Sequence, residues 1–98
     1  MQKDLDLIRR LNNNGSLAEP KKHADIDEGH AALHYSLFEN GGSWTINVRR
    51  DEGEYPLREI TISDITDDCA LAERIFDLLC EGAAQPEHCR DIIEDILS

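Results

Sequence analysis

Residues 33–48 read Leu33-His34-Tyr35-Ser36-Leu37-Phe38-Glu39-Asn40-Gly41-Gly42-Ser43-Trp44-Thr45-Ile46-Asn47-Val48, and their pattern decides the fold. Leu33, Tyr35 and Leu37 alternate with polar or smaller residues before Gly41-Gly42, and Trp44, Ile46 and Val48 alternate after it. Side chains of a strand point to opposite faces in turn, so a period of two on both sides of a Gly-Gly turn predicts a β-hairpin. The six named residues are expected to share one buried face.

Outward from the hairpin, Arg49 to Tyr55 are polar and predict a loop. Leu57 to Ile62 then read as a third strand, with Ile60 and Ile62 facing the core. Asp64, Asp67 and Asp68 are suited to cap a helix N-terminus, where carboxylates meet free N–H groups and the positive end of the dipole. After them Cys69, Ala72, Ile75, Phe76, Leu79 and Cys80 fall on one helical stripe, which Gly82 closes. Pro86 suits the first turn of a second helix, where Cys89, Ile92, Ile93, Ile96 and Leu97 repeat the spacing. Toward the N-terminus, Met1, Leu5, Ile8 and Leu11 predict a helix that Asn13-Asn14-Gly15 ends. Residues 16–29 show no period and read as a loop around Pro20. The expected architecture is therefore α+β: an N-terminal helix (1–15), a loop (16–29), a three-stranded antiparallel sheet (30–62) and two acidic helices (64–98) packed on one sheet face.

The 98 residues suffice for one domain, which buries roughly 60–70% of the surface of its unfolded chain. No stretch approaches the roughly 20 apolar residues of a membrane span. The N-terminus, Met1-Gln2-Lys3-Asp4, carries charge and no apolar run, which predicts no secretory leader and a cytoplasmic chain. Cys69, Cys80 and Cys89 are odd in number and widely spaced, in keeping with a reducing compartment.

Charge is the loudest signal. Residues 1–50 carry seven acids and seven bases, whereas residues 51–98 carry 14 acids against Arg58, Arg74 and Arg90, so the whole net charge of −11 sits in the C-terminal half. Nucleic acid binding needs a basic footprint, and an anionic membrane repels such a chain. The partner class that remains is a protein with a basic surface.

Chemistry that would make an enzyme is weakly represented. The three cysteines fall on apolar helical stripes and read as inert core thiols. No serine stands in a nucleophile elbow and no glycine-rich loop could cradle a phosphate. His23, Asp25, Asp27, Glu28, His30 and His34 are of metal-ligating type and lie close together. Their spacing fits no metal motif: counted as a calcium loop from Asp25, the twelfth position is Ser36, not an acid. No catalytic residue, metal ligand or cofactor is assigned. Trp44 is expected in the core, and Tyr55, before Pro56, in an exposed loop.

The acids do have an order. Glu73, Asp77 and Glu81 are spaced four apart on the first C-terminal helix. Glu87, Asp91 and then Glu94 or Asp95 form a row on the second. A rise of ~1.5 Å per residue places successive acids about 6 Å apart, close to the spacing of phosphates along a strand. Two such helices side by side would present one negative ridge. Asp51, Glu52 and Glu54 are a second candidate patch.

The runs YSLFENGGSWTINV (35–48), EITISDITDDCALAERIFDLL (59–79) and PEHCRDIIEDIL (86–97) resemble a small, uncharacterised α+β protein family of Firmicutes. The resemblance implies a hairpin, a third strand and two helices, the last opening on a proline, and transfers no site residue. In size and charge alone the chain is similar to phage anti-CRISPR proteins, acidic single domains that block nucleic-acid-binding effectors. The expected function is thus a non-catalytic inhibitor mimicking nucleic acid. Glu73, Asp77, Glu81, Glu87, Asp91, Glu94 and Asp95, with Asp51, Glu52 and Glu54, would meet the partner. Two alternatives stand beside it. One is a homodimeric adaptor using the uncovered sheet face of Ala32, His34, Ser36 and Phe38. The other is a small metal-dependent enzyme using the histidine–aspartate segment.

Overall fold

The computed structural model describes residues 19–53 and 58–98. They run β1 (Lys22–Asp27), β2 (Ala32–Asn40), β3 (Ser43–Asp51), β4 (Arg58–Ile62), α1 (Cys69–Glu81) and α2 (Pro86–Leu97). The helix expected over 1–15, together with Glu54, Tyr55 and Leu57, lies outside the described residues.

The hairpin forms in the expected register. Tyr35 pairs with Val48 and Leu37 with Ile46, and Asn40 and Ser43 close a two-residue turn. Gly41 and Gly42 both take positive φ, 63° and 89°. That conformation matches the twist of the flanking strands and costs little only where no Cβ is present. Leu33, Tyr35, Leu37, Trp44, Ile46 and Val48 are all buried on one face.

The class is α+β, but the sheet has four antiparallel strands in the order β1-β2-β3-β4, not three. Part of the segment expected as a loop over 16–29 is an edge strand paired with β2, from Lys22 opposite Leu37 to Asp27 opposite Ala32. Its period of two is faint because the inward positions are Lys22, Ala24 and Ile26, all only half-buried. Lys22 is inward only by its stem: its ammonium stands 5.4 Å from the Phe76 ring centre and 2.7 Å from Asp77 Oδ1. An inward lysine on an edge strand also discourages pairing with another chain.

The loop expected from Arg49 is also shorter. β3 continues to Asp51, with Arg50 opposite Leu33. Arg50 is buried, 8% exposed, and its guanidinium makes four polar contacts. Nη1 donates to Glu28 Oε1 (2.8 Å) and Gln85 Oε1 (2.6 Å), Nε donates to Glu52, and Nη2 stands 3.3 Å from His30 Nε2.

The two helices cover one sheet face, α1 over β2 and β3, α2 over β3 and β4. Ala72, Ile75, Phe76 and Leu79 of α1 and Cys89 and Ile93 of α2 are buried there. Each large apolar side chain so buried stabilises the fold by ~1.5–3 kcal/mol. Asp68 caps α1, its Oδ1 accepting from Leu71 N (3.2 Å). Asp64 instead takes positive φ, 54°, just before Ile65 and Thr66, whose backbones exchange hydrogen bonds with Trp44. α1 ends at Gly82, yet the left-handed residue is Ala83, with φ 48°. Ala84 N–H donates to Leu79 O and Ala83 N–H to Cys80 O, the paired bonds of a Schellman turn. Pro86 opens α2, where no N–H is required of it. No helix among the described residues is long and apolar enough to cross a membrane.

Candidate functional site

The seven acids of the helices lie outside. Glu73, Asp77 and Glu81 are exposed along α1, and Glu87, Asp91, Glu94 and Asp95 along α2. Against these seven carboxylates the two helices set only Arg74 and Arg90, both exposed.

Two members of the expected ridge are met by bases of the sheet. Asp77 is reached by Lys22 of β1 at 2.7 Å, and Glu87 by Nη1 of Arg58 of β4 at 3.2 Å. β1 and β4 are the opposite edges of the sheet, so these two acids are drawn toward opposite sides of the helical layer. The reason is the phase of the apolar stripes. Each helix must turn its stripe to the sheet, which leaves Asp77 of α1 within reach of β1 and Glu87 of α2 within reach of β4. Among the described residues, Glu73, Glu81, Asp91, Glu94 and Asp95 make no ion pair. Exposed pairs such as Lys22–Asp77 contribute little, ~0–1 kcal/mol, and leave the surrounding carboxylates unopposed.

The second patch does not assemble as a free acidic surface. Asp51 is exposed, its Oδ1 accepting from Gly53 N at 3.0 Å. Glu52 is half-buried and takes Arg50 and Arg58 on one oxygen. The bond from Arg50, and then that from Arg58, hold its carboxyl below the usual glutamate range. It belongs to the ion cluster that closes this end of the sheet. Glu54 lies outside the described residues.

The histidine–aspartate segment separates into three environments. Glu28 and His30 turn to Arg50. Asp27 caps the β1–β2 turn through Gly29 N at 2.8 Å. His23, Asp25 and His34 meet on the face that the helices leave open. Asp25 Oδ1 lies 2.6 Å from His34 Nδ1 and 2.9 Å from His23 Nε2, while His23 Nδ1 lies 3.2 Å from Ser36 Oγ. The bond from His34 lowers the Asp25 carboxyl below its ordinary range. As they stand, no three histidine, cysteine or acidic side chains among the described residues surround a common point as metal ligands do.

The rest of that open face is also polar. Ala32, His34, Ser36 and Phe38 lie on it, half-buried, as expected. Their neighbours on β3, Asp51, Arg49, Asn47 and Thr45, are polar. Asn47 Nδ2 donates to both Glu59 and Thr61 at 2.9 Å.

Of the thiols, Cys89 is buried and Cys80 half-buried, whereas Cys69 is exposed at the first residue of α1, against the expectation of a core position. Desolvation, and acids nearby, push the Cys80 and Cys89 thiols up to about 11 and raise Cys69 as well. In Cys80 and Cys89 the raised values disfavour the thiolate, the nucleophilic form.

Arg50 reads as a polar loop residue in the sequence, yet it lies inward on β3. Its signal was phase: it continues the inward series Trp44, Ile46, Val48. Compared with known proteins, the chain matches no family model, no curated protein and no solved structure.

Proposed function

We propose that this chain is a non-catalytic protein-binding module that sets its acidic helical layer against a basic surface, its concrete form being an inhibitor that occupies a nucleic-acid-binding groove in the manner of anti-CRISPR proteins. The observation that supports this reading is the disposition of the seven helix carboxylates, all exposed, with two arginines between them. The paired bases Lys22 and Arg58 sit at the sheet edges, below the outward faces of the helices. Within each helix, acids one turn apart stand about 6 Å from one another, close to the spacing of phosphates along a strand. The partner is a protein; the chain's charge repels nucleic acid and anionic membrane alike.

The homodimeric reading has less behind it. On the open face Phe38 is the main apolar contact, and its polar neighbours are largely satisfied within the chain.

The test is capture from nuclease-treated lysate with the wild-type chain and with the triple variant Glu73→Lys, Asp77→Lys, Glu81→Lys. A partner retained by the wild type, lost by the variant and released between 0.1 and 1 M salt, where the screening length falls from about 10 to about 3 Å, supports the proposal. A partner held equally at both salt concentrations and by the variant overturns it.

A further inference from the structure

We propose that His23, Asp25 and His34 form a binding site for a divalent ion of the zinc class on the open face of the sheet. The backbone supplies the geometry. His23 and Asp25 are two apart on β1, so both project to the exposed face, and His34 is the cross-strand partner of Asp25 on β2. Two imidazoles and a carboxylate are the donor set such ions take, with a further position left to water.

Both imidazoles are drawn onto Asp25. The separations of 2.9 and 2.6 Å from Asp25 Oδ1 are hydrogen-bond distances. Ligands ~2.0–2.1 Å from a tetrahedral ion stand about 3.3 Å apart. Binding therefore requires both imidazoles to turn from the shared oxygen until His23 Nε2, His34 Nδ1 and an Asp25 oxygen stand about that far from one another, a rearrangement by side-chain rotation alone. The ion would take the Nε2 lone pair of His23, the Nδ1 lone pair of His34 and an oxygen of Asp25, and any proton shared there leaves to solvent.

Two neighbours bear on it. Ser36 Oγ, 3.2 Å from His23 Nδ1, holds the ring by its other nitrogen, as outer partners of metal-bound histidines do. Arg49, the cross-strand neighbour of His34, opposes a cation, and Glu59 stands opposite Arg49 on its other side.

The experiment is isothermal titration of the full chain with zinc chloride, in a Cys69→Ser background so that the exposed thiol cannot compete. The expected result is one zinc per chain, with affinity reduced at least tenfold in His23→Ala and in His34→Ala, about tenfold in Ser36→Ala, and unchanged in His30→Ala and His88→Ala. Zinc should also raise the melting temperature of the parent but not of His34→Ala, with circular dichroism confirming that each variant folds. Absence of zinc binding by the parent, or binding that survives both His23→Ala and His34→Ala, overturns the proposal.

Discussion

Tyr35, at the centre of β2, donates its hydroxyl to the carbonyl of Ala84 at 2.9 Å, joining the sheet to the turn between the helices across 49 positions of chain. Burial holds the phenol protonated far above its ordinary range, so the bond persists at any physiological pH. Removing the hydroxyl leaves the ring packed but the carbonyl without its main donor. Tyr35→Phe is expected to lower stability by ~1–2 kcal/mol, read as a lower urea midpoint at unchanged slope.

The end of α1 makes a paired prediction. Gly82 has φ −89°, and a Cβ there would meet Leu78 O at 3.5 Å, ordinary contact. Gly82→Ala should therefore be neutral or stabilising by up to ~1 kcal/mol, through a less disordered unfolded chain. Ala83 carries the left-handed conformation, so its replacement by a β-branched residue is the damaging change: Ala83→Val should cost ~1–2 kcal/mol. Thermal melts of both variants decide this.

Stability should fall on the acid side through Glu52. Arg50, and then Arg58, hold its carboxyl below the ordinary value near 4.5. A depressed folded value means the unfolded chain binds the proton first. The stabilisation is thus complete above about pH 4.5 and disappears as pH falls through the lowered value. Glu52→Gln should be less stable at neutral pH and should show a shallower acid limb in melting temperature against pH.

Labelling should find one thiol first. Cys69 is exposed, while Cys89 is buried and Cys80 half-buried with thiols raised to about 11. A maleimide should modify Cys69 in the native protein and the other two only on unfolding. Equal labelling of all three in the folded chain contradicts the packing described.

Much of this fold was legible because long alternating runs leave little choice. Leu33 to Val48 and the two apolar helical stripes gave the hairpin, the helices and the covered face. β1 escaped because an edge strand needs only half-burial, which Ala24 and the stem of Lys22 provide without a clear hydrophobic signal. The extension of β3 escaped because an arginine at an inward position reads as a loop until its partners, Glu28, Glu52 and Gln85, are known, and these are scattered along the chain. Exposure of the helix acids followed from the phase of the stripes, but the pairing of Asp77 with Lys22 and of Glu87 with Arg58 depends on strand order, which periodicity does not encode. His23, Asp25 and His34 stood out by type alone; their meeting required the register of β1 on β2.

The turn between the helices is fastened to the sheet twice, at Ala84 by Tyr35 and at Gln85 by Arg50. A helical pair pinned in this way cannot swing like a lid. The helix axes that carry the carboxylates are set in place, so binding would order side chains and not backbone, and any larger accommodation of shape would fall to the other molecule.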